Sequence, residues 1–363
     1  MSFIIFFIIT LFIAVIQTAI PYLVNRTVVF GVMVPEQYIE DKTIKKYKKY
    51  YSLSVALLSI VILVSYLVWV LSNERLDNQV ALTGAVIEFA LIFISITFYL
   101  YYHAKTKQLK QQNNWAENLK PMKVTDLSIR SQDEMLPWYL YLLPIISTIG
   151  LMIYTLMNYD ILPNQIPTHW GPSGEADAFT DKTSFSAIKL SLGLLMMQLM
   201  FLGIHIATKK SGIKLSATSL ESSRNRQLSL RKYSSWLLFV VLLGITMLMS
   251  YFQLMTIHPE IGEGFVKLII PFSFLILVLI GTLIFAIKVG RSDKVMETTV
   301  EAKIMDLDED KYWKGGLFYF NKNDPSIFVE KRFGVGWTLN FANPIGLVII
   351  LVPLTVFLVI SFL

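Results

Sequence analysis

Eight apolar stretches, at about 2–24, 51–72, 80–102, 137–157, 186–207, 234–257, 265–289 and 345–363, constrain this chain more than any other feature. A helix rises ~1.5 Å per residue, so roughly 20 residues cross a hydrocarbon core of about 30 Å. Lipid offers no partner to backbone N–H and C=O groups, so runs of this length are helices there. The expected fold class is an all-α integral membrane protein with about eight transmembrane helices. Composition agrees: with 54% hydrophobic and 16% charged residues, the 363-residue chain has too little polar surface to enclose a water-soluble core of that size. Tyr22, Tyr50, Tyr51, Tyr101, Tyr102, Trp138, Tyr139, Tyr233 and Trp236 place amphipathic rings near the predicted ends, where headgroups favour them. The first run reads as a permanent helix rather than a signal peptide: no Lys or Arg precedes it, and no Ala-x-Ala-like site follows. Cysteine is absent, which excludes disulfides, thiolate metal sites and thiol catalysis.

Short loops rich in Lys and Arg stay in the cytoplasm, so the basic residues orient the chain. The regions around 25–50, 103–136, 208–233 and 290–344, with Lys288, hold 28 of the 32; the alternate loops, with Lys189 and Lys267, hold 4. Both termini and the loop 158–185 are therefore expected outside, and the four basic regions in the cytoplasm. The net charge of +6 is spread along one membrane face, so no direct nucleic-acid binding is expected.

The chain divides on this reading into a three-helix region 1–136, a helix pair 137–207 flanking the loop 158–185, helices six and seven with their connector at 208–289, a cytoplasmic segment 290–344 and a last helix at 345–363. Ile39, Ile44, Tyr47 and Tyr51 recur at roughly helical spacing beside a lysine-rich face. They are read either as a basic helix along the inner leaflet or as the charge signal preceding the second span. Segments 103–136 and 208–233 read as solvated connectors. In 290–344 the runs Leu317–Phe320, Ile327–Val329 and Trp337–Phe341 alternate with Asn, Pro and Gly clusters, which predicts a small β-rich insert of two or three strands before the last helix. Its aromatics are expected to pack on one another and on the inner membrane surface. Gly334-x-Gly336 lacks the third glycine and the βαβ setting of a nucleotide fingerprint.

The polar loop Leu162–Lys182 carries prolines at 163, 167 and 172 and glycines at 171 and 174, so it is expected to hold one shape. His169, Trp170, Glu175, Asp177 and Lys182 are its recognition candidates. His169 with Glu175 and Asp177 could in chemistry ligate a cation, but the spacing matches no strong metal motif, and no metal or cofactor is expected. The competing structural reading has His169 capping a turn and Asp177 or Asp181 bonding loop amides, and a reading between the two has the exposed Trp170 and its neighbours recognising an extracellular molecule.

The pattern at Leu162, Pro163, Ile166, Pro167, His169, Trp170, Gly174, Asp177 and Lys182 resembles the signature loop of a bacterial membrane-protein family that includes the immunity protein against a sporulation-delaying toxin peptide. Residues 313–343, with Gly315-Gly316, Tyr319, Asn321, Asp324-Pro325 and Gly336-Trp-Thr-Leu-Asn340, resemble a second domain of unknown function that accompanies this loop in some Gram-positive proteins. The resemblance implies a bacterial plasma-membrane protein and, for the immunity members, protection from a membrane-active toxin and membrane sequestration of a cognate repressor. It makes an extracellular peptide at the loop and a cytoplasmic regulator the expected partners besides the bilayer. Trp313, Tyr319, Asp324, Trp337 and Asn340 are the candidates on the inner segment.

Glu88 lies about eight residues into the third run, ~12 Å below its outer end. A carboxylate at that depth is costly, so it is expected to face the bundle and to be protonated or paired. One reading makes it an interhelical tie to Gln198, Gln253 or a hydroxyl; the other makes it a proton or solute site. Lys189 and Lys267 can snorkel from outer helix ends. There is no His-Glu-x-x-His, no Gly-x-Ser-x-Gly and no paired-acid site, so no enzymatic activity is expected. A toxin-immunity or signalling role leads, and a transporter using Glu88 is the alternative.

Overall fold

A computed structural model describes all residues except 73–74, 116–118, 123, 125, 127, 172–173, 294–303 and 363. Eight helices are long and apolar enough to cross a membrane. They are α1 Ser2–Leu23, α2 Lys42–Leu71, α3 Asp77–Gln112, α4 Leu142–Met157, α5 Ser184–Lys210, α6 Leu220–Ile257, α7 Val266–Gly290 and α8 Pro344–Phe362, with a 3₁₀ turn at Trp138–Tyr141 leading into α4. The described strands are short: β1 Val28–Val29, β2 Val32–Met33, β3 Lys120–Met122, β4 Gln165–Trp170, β5 Ala176–Asp181, β6 Ile304–Asp306, β7 Trp313–Lys314, β8 Phe318–Tyr319, β9 Phe328–Glu330 and β10 Trp337–Leu339.

Three helices outrun their apolar stretches. The Asp41 carboxylate accepts from the amides of Thr43 (2.7 Å) and Ile44 (3.3 Å), so α2 starts at Lys42 and carries the lysine-rich turns straight into the span. α3 continues to Gln112 and α6 begins at Leu220. Hydropathy registers only the lipid-facing length, while Lys, Gln and Arg are good helix formers that prolong it.

The chain forms two compact units. The first comprises Met1–Asp133, Gly212–Leu230 and Ala286–Ala342. In it α1 runs parallel to α3 and antiparallel to α2. Ser2 Oγ donates to Asp77 Oδ2 (2.9 Å), and the Phe6 ring lies against Gly84. Across to α2, Phe3 meets Tyr66 with ring centroids 5.5 Å apart and Ser52 Oγ donates to the Thr18 carbonyl (2.8 Å). A buried cluster joins Val29, Phe30, Ile39, Ile44, Tyr51, Tyr99 and Trp115. Ile39, Ile44 and Tyr51 thus face a protein core, which corrects the reading of a separate helix lying along the membrane.

The basic segments also depart from the solvated connectors expected of them. Lys110, at the end of α3, is buried between Asp308 (2.7 Å) and Asp310 (2.8 Å). Ser216 Oγ donates to Asp306 Oδ2 (2.7 Å), and β3 pairs in parallel with β6. Arg226, 1% exposed, holds Asp293 (3.1 Å), Glu330 (2.5 Å) and the Leu23 carbonyl (3.1 Å). The β-rich insert is present as two antiparallel hairpins, β7–β8 and β9–β10, with Tyr319 bridging to Asn340. The expected runs contain β8, β9 and β10; β7 is an additional strand. Its turn needs glycine: at Gly316 (φ +70°) a Cβ would stand 2.8 Å from the Gly31 Cα.

The second unit comprises Glu134–Ser211, Arg231–Phe285 and Asn343–Leu363. Within it α5 packs on α4 and α8. Gly193 lets the Phe357 ring approach to where a Cβ would be 3.2 Å away, a small-residue contact of the kind that lets membrane helices close up. Polar side chains tie the helices. Gln198 Nε2 donates to the Pro144 carbonyl (3.1 Å), Thr148 (2.7 Å) and Thr246 (3.0 Å), and Gln253 Nε2 to the Ala187 carbonyl (2.9 Å). Arg231 reaches the Thr208 and Lys209 carbonyls (3.1 and 2.8 Å), closing the C-terminal end of α5.

Candidate functional site

The loop between α4 and α5 is a β-hairpin, where the sequence suggested only a turn-dense loop. Gln165 pairs with Asp181, Ile166 with Thr180 and Pro167 with Phe179; the register then shifts around Thr168, bringing His169 opposite Ala178 and Trp170 opposite Ala176. A two-stranded ribbon has free edges on both sides, so Pro167 lacks a donor at no cost to the ladder. The shift acts as a bulge and re-aims neighbouring side chains. Trp170 turns inward and stacks on Phe252 with centroids 4.5 Å apart and 20° between planes, while His169 stays 67% exposed. The expected exposed Trp170 is therefore corrected: its ring packs beside Leu248 and Tyr251.

The base of the hairpin is anchored at several points. Leu162 and Ile166 are buried with Ala187 and Ile257. Lys182 donates to the carbonyls of Leu162 (2.8 Å) and Asp160 (3.3 Å) and lies 4.8 Å over the Tyr159 ring, so this candidate is an anchor rather than a recognition group. Thr183 and Ser186 form a reciprocal capping box at the start of α5. At the tip, the Gly171 amide donates to the Glu175 carbonyl (2.9 Å), and Gly174 takes φ +75° where a Cβ would be 2.6 Å from the Lys267 carbonyl oxygen. Only glycine fits there. Pro172 lies outside the described residues.

The exposed chemistry consists of two pairs. His169 Nδ1 is 2.5 Å from Asp177 Oδ1 across the strands, and Glu175 Oε1 accepts from Lys267 Nζ (2.9 Å). Asp181 accepts from Gln165 Nε2 (2.7 Å), a side-chain bond in place of the expected bond to a loop amide. Because Glu175 turns to Lys267, the trio of His169, Glu175 and Asp177 is not assembled; among the described residues no group of three His, Asp or Glu side chains is placed to hold a metal ion. Below the hairpin lies a cavity of about 320 Å³, bounded by β4, α5, α6 and α8.

Glu88 sits in the first unit. Thr10 lies one turn beyond Phe6, Glu88 one turn beyond Gly84, and Ser59 two turns before Tyr66, so the three share a level of the α1–α3 bundle. Glu88 Oε1 and Thr10 Oγ1 are buried with no hydrogen-bond partner among the described residues. Gln198 and Gln253 make their bonds within the second unit, so the proposed tie from Glu88 to them is not formed.

The candidates on the β-rich segment are largely internal. Trp313, Tyr319 and Asn340 are buried, and Trp337 is half-buried. Asn340 Nδ2 donates to the carbonyls of Asn321, Asp324 and Ser326, while its Oδ1 accepts from the amides of Asn321 and Ala342. The Tyr319 hydroxyl donates to Asp324 (2.9 Å) and receives Lys214 (3.1 Å) and Asn321 (3.0 Å). Burial alone would raise the Asp324 carboxyl, but Lys214 at 2.9 Å and the Ser326 amide outweigh it and hold the pKa at about 2. Burial pulls Lys214 down, and Glu309, Tyr319 and Asp324 more than reverse this, keeping its ammonium above the usual range. Asp310 lies low for the same reason: its burial is overcome by Arg332 and Lys110. What remains exposed is an aromatic face of Phe318, Phe320 and Phe341. The buried charges were missed in the sequence; their one signal was the acidic run Asp306–Asp310 in a chain otherwise basic at that end.

Fold and site together define a multi-pass membrane protein with a rigid two-stranded hairpin at the end of two spans. Residues 140–192, which include that hairpin, match the model described as a domain of unknown function (DUF1648). Residues 322–347 match the model described as a family of unknown function (DUF5808). No curated protein and no solved structure matches the chain.

Proposed function

We propose that this chain is a bacterial plasma-membrane protein that protects the cell from membrane-active toxin peptides, or signals their presence to a cognate regulator, without catalysing a reaction. The hairpin carries the proposal. A frame anchored by Lys182, Gly174 and the buried Leu162 and Ile166 displays His169, Asp177 and Glu175 at the surface, and a rigid loop with exposed polar groups suits recognition. The bias of 28 basic residues to 4 supports a topology with both termini and the hairpin outside the cell and the β-rich segment inside. The resemblance of the loop to toxin-immunity proteins supports the same reading. Inside, the exposed Phe318, Phe320 and Phe341 are better placed to meet a regulator or the inner leaflet than the buried Tyr319 and Asn340.

Deleting the gene and challenging cells with membrane-active peptides, and with spent medium from related strains, tests the role. Loss of survival that wild-type protein restores and His169→Ala does not is the expected result; unchanged survival together with unchanged expression of adjacent regulator genes overturns it. Orientation is read separately. The chain has no cysteine, so Ala178→Cys should react with a membrane-impermeant maleimide in intact cells, and Lys322→Cys only after lysis.

A second reading, proton- or solute-coupled transport through α1–α3, is favoured by the unpartnered Glu88 and Thr10 oxygens at one level. Reconstituted vesicles lacking any flux that Glu88→Gln abolishes would remove it.

A further inference from the structure

The cavity beneath the hairpin is lined by both polar and apolar groups. Its mouth carries His169 and Lys189, with Leu190 and Ile360 at their level; Gly193 and Phe357 line it one turn deeper, and Gln253 and Thr256 of α6 complete the lining. At ~1.5 Å per residue, Lys189 stands about 8 Å along α5 from Ser184 and Gly193 about 14 Å, so the cavity descends from the helix end into the membrane-spanning length. Among the described residues no carboxylate side chain lines it. Three of the surrounding hydroxyls are engaged: Ser186 donates to the Asp181 and Thr183 carbonyls, Thr256 to Phe252 and Ser361 to Phe357. Lys189 Nζ, by contrast, has a single hydrogen bond among the described residues, 3.3 Å to the Ser361 carbonyl. An ammonium carries three donors, so this one retains capacity for an anion. Volumes of ~300 Å³ and above are typical of small-molecule sites.

We propose that this cavity binds an anionic membrane lipid, with the headgroup phosphate on Lys189 beside His169 and the first part of an acyl chain between Leu190, Phe357 and Ile360. The combination selects an amphiphile: a soluble anion leaves the apolar lining uncovered, and a neutral apolar molecule leaves Lys189 unpaired at the headgroup level. A charge-assisted bond from Lys189 to a phosphate is stronger than a bond between neutral groups. The lipid lies under β4, so its headgroup becomes part of the surface that the hairpin presents. This does not rest on the toxin-immunity reading and can fail or hold without it.

The test uses full-length protein in mild detergent, titrated with phosphatidylglycerol or phosphatidylcholine and read as bound lipid by native mass spectrometry. Phosphatidylglycerol should bind in preference. Lys189→Gln should lower its binding about fivefold, towards the phosphatidylcholine level, the effect of one lysine at a membrane surface. Lys189→Arg should retain it. Ile360→Trp keeps the charge but fills the cavity, and should reduce both lipids; it decides the matter should Lys189→Gln fail to fold. Equal binding of the two lipids by wild type, or full binding by Lys189→Gln, overturns the proposal. So does displacement of phosphatidylglycerol by millimolar glycerol phosphate or inorganic phosphate, which would mean that the site recognises the anion alone.

Discussion

The hairpin of the second unit and the β-rich segment of the first use the same residue types to opposite ends. In the first unit the charges close on one another: buried Arg226 on Asp293 and Glu330, buried Lys110 on Asp308 and Asp310, and part-exposed Lys214 on Glu309 and Asp324. In the hairpin, His169 and Asp177 bond each other while 67% and 55% exposed. A buried ion pair holds structure because either member alone would be an uncompensated charge; an exposed pair contributes little and remains open to exchange with a ligand. Residue identity therefore marks function here only in combination with exposure.

The comparison breaks first at Arg226. Arg226→Met leaves the Asp293 and Glu330 carboxylates without their cation and should destabilise the first unit by about 3–5 kcal/mol, read as a lowered unfolding midpoint of the full chain in detergent; Glu330→Gln, which keeps Asp293 on Arg226, should cost about 1–3 kcal/mol. Next is Asn340→Leu, which removes all five of its hydrogen bonds and orphans buried backbone groups. About 3 kcal/mol is expected, again from the midpoint.

Acid comes third. The folded Asp324 pKa, about 2, lies below that of an unfolded aspartate, so its contribution is present above about pH 4 and is lost as pH falls through about 2. Trp313 packs against Tyr319, so its fluorescence should change across that window, and Asp324→Asn should reduce the dependence, the remainder coming from Asp310. The smallest effect is at His169→Ala, expected within about 0.5 kcal/mol of wild type in stability, as for ordinary surface substitutions. A cost at His169 comparable to that at Glu330 would erase the distinction between the two regions.

The spans were legible because lipid imposes one strict rule, length of apolar run, and all eight stretches obey it. The ends of α2, α3 and α6 were not, since a helix leaving the bilayer is prolonged by polar residues that hydropathy reads as connector. The hairpin was legible as a rigid element from Pro163, Pro167 and Gly174, yet not as β structure: Pro167 within a strand argues against one, and the ribbon tolerates it only because its edges are free. The inward turn of Trp170 depended on register shifts on both sides of His169, and the pairing of Lys110, Lys214 and Arg226 on acids about 65 to 200 positions away. Neither leaves a periodic trace.

α3 has 36 residues and so measures ~54 Å, roughly 24 Å more than the hydrocarbon thickness it crosses. Its first turn is held by Ser2 and its far end by the Lys110 grip on Asp308 and Asp310. One continuous helix thus joins the contact with α1 at its start to the acidic run of the β-rich segment at its end.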